Sequence, residues 1–273
     1  MKMLKVLFDF YINSSIHVAL AVYALVRITE LYLGLPHNEN LNYFIFFGTI
    51  TGYNFIKYAG IAKLHHKSLT ENLKIIQVFS LVCFVLMLFY ATRLKLTTLV
   101  FFIPLGLVTL LYAIPFLNGL TQNLRNVASI KIILIAMIWA ITTVLLPVID
   151  AELVLTSNTI FQAIQRMLFV IVLTIPFDIR DLQFDHKNLQ TLPQILGVAR
   201  VKKFGFVLLA LTILLEFFIT PNANFKTVFI IIFFMLLILL QRAKRKQTKY
   251  YASFWVEAIP VFWLILLFVI IKK

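Results

Sequence analysis

Asp178, Asp181 and Asp185 stand three and four residues apart in PFDIRDLQFDHKNLQTLPQILG, residues 176–197, and they are three of the five aspartates in the chain. If the helix entering this segment runs on past Pro176 for two turns, positions i, i+3 and i+7 share one face at about 100° per residue. Carboxylates so placed repel one another unless a cation sits among them. Hard oxygen ligands suit Mg²⁺, which usually keeps waters and completes its shell with substrate phosphate. A second reading has Arg180, Lys187, Arg200, Lys202 and Lys203 neutralising the acids in a wet loop. Spacing alone suggests a site and names no substrate.

The elements that must position these acids are membrane helices. Of 273 residues, 62% are hydrophobic and 13% charged, with mean hydropathy +0.96; a soluble domain carries roughly 25% charge. Apolar runs of spanning length lie at about 12–33, 41–62, 73–91, 97–116, 128–147, 159–177, 203–219, 224–240 and 252–271. They lack the alternating dyad of a membrane barrel. The expected fold is therefore all-α and polytopic, with nine transmembrane helices in a single domain over residues 1–273. The start shows no short apolar leader with a cleavage site, so the first run is expected to be the first mature helix.

Net charge is +14, yet the basic residues cluster in short loops beside apolar runs, as the positive-inside rule requires. That points away from nucleic acid. Most of the 25 Lys and Arg residues fall on the side of the N-terminus and the Asp178 segment, which places both in the cytoplasm and the C-terminus opposite, with a bacterial inner membrane the expected location. Asp150 and Glu152 then read as solvated charge in an outer loop. The run RAKRKQTKYY, residues 242–251, is an orientation signal or a contact for anionic lipid headgroups. A single cysteine, Cys83, excludes an internal disulfide and a cysteine metal site and reads as a small apolar residue.

The segment resembles the second aspartate-rich motif of the UbiA superfamily of intramembrane prenyltransferases, D-x-x-D-x-x-x-D followed by T-L-P and L-G. Asp178, Asp181, Asp185, Thr191, Leu192, Pro193, Leu196 and Gly197 supply it in register. Tyr112, Pro115, Arg125, Lys131 and Trp139 are similar, less specifically, to the family's connection between its fourth and fifth helices. The resemblance implies nine helices around a central cavity, and Mg²⁺ held on the diphosphate of a polyprenyl donor by two facing aspartate motifs. It also implies departure of pyrophosphate and capture of the allylic cation by a lipophilic acceptor, often an aromatic ring. Asp178, Asp181 and Asp185 would be the catalytic and metal-binding residues, with Asn54, Lys57, Lys63, Arg125 and Lys131 as supporting diphosphate donors.

The chain departs from the family at the first motif, N-D-x-x-D-x-x-x-D, which corresponds to GYNFIKYAGIAKLHH, residues 52–66. Asn54 matches, but Phe55, Tyr58 and Ala62 occupy the aspartate positions. Lys57 either substitutes for part of the missing metal charge or snorkels to the interface. A catalytically impaired protein of the same fold, binding lipid or prenyl diphosphate or acting as a scaffold, is the alternative function. A transporter has little support without a broken helix pair. Oligomeric state, acceptor and prenyl chain length are not legible.

Other polar residues are weighed the same way. Adjacent His65 and His66 point about 100° apart and cannot share a metal on one helical face. His17 reads as packed with a local hydrogen bond, and Arg27 with Glu30 as a satisfied i, i+3 pair. Glu216 and Glu257 lie in apolar runs, where a carboxylate marks a functional candidate, but both are near run ends and exposure to water is expected at least equally. Arg166 lies twelve residues before Asp178, about 18 Å along a straight helix, too far to share its phosphate.

Overall fold

A chain in lipid can satisfy its backbone only within a helix or a closed barrel, and the described parts of the apolar runs are helical but for short breaks. The computed structural model describes residues 2–64, 71–113, 130–184 and 189–271. Its helices are α1 (Lys2–Asn13), α2 (Ile16–Leu33), α3 (Glu39–Leu64), α4 (Glu71–Ala91), α5 (Leu96–Ala113), α6 (Ile130–Ala140), α7 (Leu146–Asp150), α8 (Ser157–Asp181), α9 (Leu192–Leu196), α10 (Val198–Ile219), α11 (Ala223–Arg242) and α12 (Ile259–Ile271). A π-helical turn, Ile141–Leu145, joins α6 to α7, and a second, Tyr251–Val256, leads into α12. The first immediately precedes a helix with Pro147 in its opening turn, a residue that cannot donate to the carbonyl four positions back. Among the described residues there is no strand, and six helical stretches are long and apolar enough to cross a membrane.

Neighbouring helices close into a ring: α2 packs on α3, α3 on α5, α5 on α7, α6 on α8, α8 on α10, α10 on α11, α11 on α12, and α12 back on α2. The deepest helices are α2 and α8, which bring Leu25, Ile28, Phe169 and Ile175 into full burial against Trp263 and Phe229. By contrast α4 lies outside against α3 and turns Ile75, Val78, Leu81, Val85 and Leu88 outward, the apolar exposure that suits a lipid-facing helix.

At one position three helices close tightly on a glycine. A Cβ on Gly205 of α10 would lie 2.6 Å from Leu240 Cδ2 and 3.0 Å from Ile175 Cδ1, so this residue sets how closely α8, α10 and α11 approach. Alanine would gain about 0.5–1 kcal/mol of helix propensity and lose a similar amount to the shifted side chains. Leucine has no such offset. We expect Gly205→Ala to be nearly neutral in thermal unfolding of the solubilised protein, and Gly205→Leu to destabilise by about 1–3 kcal/mol; equal melting of the two variants would contradict this account.

The structure corrects three expectations. The run from residue 12 to 33 is not one helix: the chain breaks at Ser14 and Ser15, both fully buried, with Ser15 in the left-handed region at φ +64°. As a result α1 is a separate amphipathic helix, with Met3, Leu4, Val6 and Leu7 exposed on it. Asp150 is not solvated; it is buried and accepts from Asn38 Nδ2 at 2.7 Å and Thr98 Oγ1 at 2.8 Å. Glu216 is also buried, accepting from Tyr32 Oη and Gln165 Nε2, each at 2.8 Å.

Arg27 and Glu30 pair as expected, joined by His37 and by Asn42 Nδ2 at 2.6 Å from Glu30. His17 also behaves as read. Its Nε2 must donate to the Phe254 carbonyl, 3.0 Å away, so Nδ1 accepts from Tyr11 Oη at 2.6 Å. One imidazole thereby ties α1 and α2 to the second π-helical turn. His65 and His66 lie outside the described residues.

Candidate functional site

Inside the ring is a cavity of about 560 Å³, apolar for most of its length and charged at one end. Such a volume and lining fit a small-molecule site. The apolar part runs between Val22 of α2, Ile45 of α3, Phe102 and Leu105 of α5, and Ile135 and Trp139 of α6. Gly48 and Gly52, one turn apart on α3, also line it. Trp139 Nε1 donates to Tyr53 Oη at 2.9 Å, so the indole N–H is satisfied within the wall and ring surface is left to the cavity.

The charged end is built mainly on the last turns of α8. This helix passes through Pro176 and stops at Asp181; the proline gives up the hydrogen bond to the Val172 carbonyl, and the turns beyond it are held from outside. Gln247 Nε2 donates to the Pro176 carbonyl at 2.9 Å, and Gln183 Nε2 to the Arg245 carbonyl at 2.6 Å. Asp178 and Asp181 both line the cavity, one turn apart, as the spacing requires. The described helix ends at Asp181, and Asp185 lies outside the described residues. Asp178 is buried and faces Lys131 of α6, Nζ to Oδ1 3.4 Å. Asp181 is held by its neighbour Arg180 through Nε at 2.7 Å and Nη2 at 3.2 Å.

The rest of the motif shapes the chain. Thr191 is the N-cap of α9, its N–H donating to Gln194 Oε1 at 3.0 Å, and Pro193 sits in the first turn, where a missing N–H costs nothing. Gly197 closes α9 at φ +79° and redirects the chain into α10, a conformation that favours glycine.

The stretch corresponding to the family's first motif contributes a cation. Lys57 lines the cavity and donates to Ser15 Oγ at 2.8 Å. Asn54 does not line it; it is buried, with Oδ1 accepting from Ser15 Oγ at 2.7 Å and Nδ2 donating to the Ser14 carbonyl at 2.9 Å and to Ser80 Oγ at 2.7 Å. It thus fixes the hydroxyl that Lys57 touches. Tyr58 Oη donates to the Asn13 carbonyl at 2.9 Å and Phe55 is exposed. Ala62 and the Lys63 side chain, with Arg125 and Pro115, fall outside what is described, as does the side chain of Tyr112.

Among the cavity residues not identified from sequence as site residues are Arg180 and, from the segment leading into α12, Lys249, Tyr250, Ser253 and Glu257. The loop that read as an orientation signal is therefore part of the rim. Lys249 and Tyr250 both donate to Asp9 of α1, Tyr250 at 2.7 Å. Those bonds, from Lys249 foremost and then Tyr250, hold the Asp9 carboxyl below the usual carboxylate range. Glu257 had one legible signal, a carboxylate in an apolar run. It faces the cavity rather than bulk water.

The donor set can be tested against Mg²⁺. Among the described residues no three acidic, cysteine or histidine side chains form a metal cage, but two carboxylates one turn apart suit a cation that takes its remaining ligands from phosphate and water. Asp178 and Asp181 fit that role.

No family model and no curated protein sequence matches the chain. Solved structures do. An apo UbiA homolog from Aeropyrum pernix K1 superposes with TM-score 0.69 at 11% identity, covering 92% of this chain and 97% of that one. A UbiA homolog from Archaeoglobus fulgidus bound to DMAPP and Mg²⁺ gives 0.64 at 13%, covering 97% and 99%, and one from the same organism bound to GPP and Mg²⁺ gives 0.61 at 14%, covering 97% and 100%. At such identities the likeness is one of architecture, and it extends over nearly the whole of each chain: this protein has the UbiA fold.

Proposed function

We propose that the protein is a membrane prenyltransferase acting as one helical unit, which moves a polyprenyl group from its diphosphate to a lipophilic acceptor. The observation that carries this reading is a long apolar cavity whose charged end holds two acids and several cations. The prenyl chain lies among Ile45, Phe102, Leu105 and Trp139, and the diphosphate meets Lys57, Lys131 and Arg180. Of the remaining expected donors, Asn54 acts by holding Ser15 beside Lys57, while Lys63 and Arg125 are assigned from the family pattern alone. Asp178 and Asp181, with Asp185 beyond them, would hold Mg²⁺, which when bound stabilises charge on the departing diphosphate. Lys57, Lys131 and Arg180 donate to the same oxygens, and in a water-poor site such preorganised donors are worth far more than in solution. The apolar wall keeps water from the allylic cation until the acceptor, expected to be aromatic, attacks it. The charged end faces the cytoplasm and the C-terminus the other side, following the basic loops.

A second reading, binding without turnover, is favoured by Phe55 and Tyr58, which stand where the family carries acids and place no carboxylate in the cavity. Purified protein incubated with radiolabelled geranyl, farnesyl and longer diphosphates, with membrane extract as the acceptor source, separates the two. Mg²⁺-dependent pyrophosphate release is expected. Protection from thermal unfolding without release would establish the second reading, and neither effect with any donor would refute both.

A further inference from the structure

The cavity carries a charged residue for which prenyl transfer as outlined has no use. Glu257 enters from the segment before α12, just after the π-helical turn Tyr251–Val256, a feature frequent at functional sites. Among the described residues its carboxylate makes no side-chain hydrogen bond and no ion pair within 4 Å. Instead it lies within electrostatic reach of Lys57 on α3 and Arg180 on α8, with Tyr11 of α1 as the other titratable group nearby. The remaining charges of this end are matched by their own partners: Lys131 by Asp178, Lys249 by Asp9, and Arg180 in part by Asp181. Lys57 has only the Ser15 hydroxyl in direct contact among the described residues, so Glu257 is the main anion available to it.

We propose that Glu257 is a built-in competitor for the diphosphate site, a carboxylate that shares Lys57 and Arg180 with the donor's diphosphate and is displaced from them when the donor binds. The inference rests on the prenyl diphosphate reading and deepens it. Two anions cannot both be well served by the same cations, because each raises the cost of the other. Glu257 therefore weakens binding of every anion at Lys57 and Arg180. Displacement also leaves a carboxylate without its cations beside the reaction space.

The test is a calorimetric titration of the full-length solubilised chain with inorganic pyrophosphate at fixed Mg²⁺. Glu257→Gln should bind about tenfold more tightly than the parent and Lys57→Met about tenfold more weakly. Glu257→Met, which removes the charge with a different shape, should reproduce the gain if the amide variant folds poorly. In the Lys57→Met background the gain from Glu257→Gln should shrink to less than about threefold, since coupled sites are not additive. A glutamine variant that binds equally or more weakly overturns the inference while leaving prenyl transfer standing, as does an undiminished gain without Lys57. Pyrophosphate held by neither the parent nor the variants overturns the inference and the prenyl-transfer reading together.

Discussion

Asp178→Asn is expected to lower Mg²⁺-dependent pyrophosphate release from an allylic diphosphate by about 10²–10³-fold, with little change in melting temperature. The side chain is buried at the charged end of the cavity, and Asn preserves its volume while removing the charge. Two interactions would be lost together: one of the carboxylates proposed to hold Mg²⁺, and the partner that aims Lys131 from 3.4 Å. Removing a single preorganised electrostatic group in a water-poor site typically costs that much in rate. Stability should move by less than about 1 kcal/mol, because the Lys131 head can turn to the cavity, where it is 29% exposed. Asp181 is more open and already held by Arg180, so Asp181→Asn should be the milder change. Turnover within tenfold of the parent in the Asp178 variant would remove this residue from the mechanism.

The largest effect on stability is expected from Arg166→Met, about 3–5 kcal/mol in thermal or denaturant unfolding of the solubilised protein. Arg166 is buried among α2, the π-helical turn after α6 and α12. Its Nη1 donates to the Leu25 carbonyl at 2.9 Å and to Thr143 Oγ1 at 3.3 Å, its Nη2 to Thr29 Oγ1 at 3.4 Å, and its guanidinium lies 5.5 Å from the centre of the Trp263 ring. Glu216 lies close enough to interact with it and is buried with Tyr32 and Gln165. Methionine fills much of the space, yet it leaves the Leu25 carbonyl and the Thr29 and Thr143 hydroxyls without their buried donor and takes a cation from the neighbourhood of the buried Glu216 carboxylate, and these losses add. Adding Glu216→Gln should therefore recover part of the stability, a non-additivity expected of a shared network. Melting of the single variant within about 1 kcal/mol of the parent would show that the network contributes little. Release of pyrophosphate should be affected only through folding, since Arg166 lies about 18 Å along α8 from Asp178.

The helices were readable in advance because lipid allows a buried backbone few alternatives, and the long apolar runs mark where they lie. What could not be read was decided between distant parts of the chain. Asp150 and Glu216 sit near run ends and look solvated until Asn38, Thr98, Tyr32 and Gln165 are brought to them by packing. The break at Ser14 and Ser15 carries no proline or glycine; its stability comes from Asn54, some forty residues away. Within the site, Asp178 and Asp181 were legible from spacing because both belong to one helix. Lys57 was legible as an oddity of the first-motif stretch, though its direction was open between cavity and interface. Glu257, Lys249 and Tyr250 join them only because α12 closes the ring against α2, a contact between the two ends of the chain that no local pattern announces.

That closure also bears on how the protein can be handled. Asp9 grips Lys249 and Tyr250, and Ile12 and Asn13 stand in the cavity wall. The C-terminal turns of α1 are thus part of the cavity rim, and an affinity handle, fluorophore or surface tether fused ahead of this helix is carried within a few turns of it. The carboxyl end is the quieter place to attach anything: α12 carries Ile271 away from Glu257 by about 20 Å of helix.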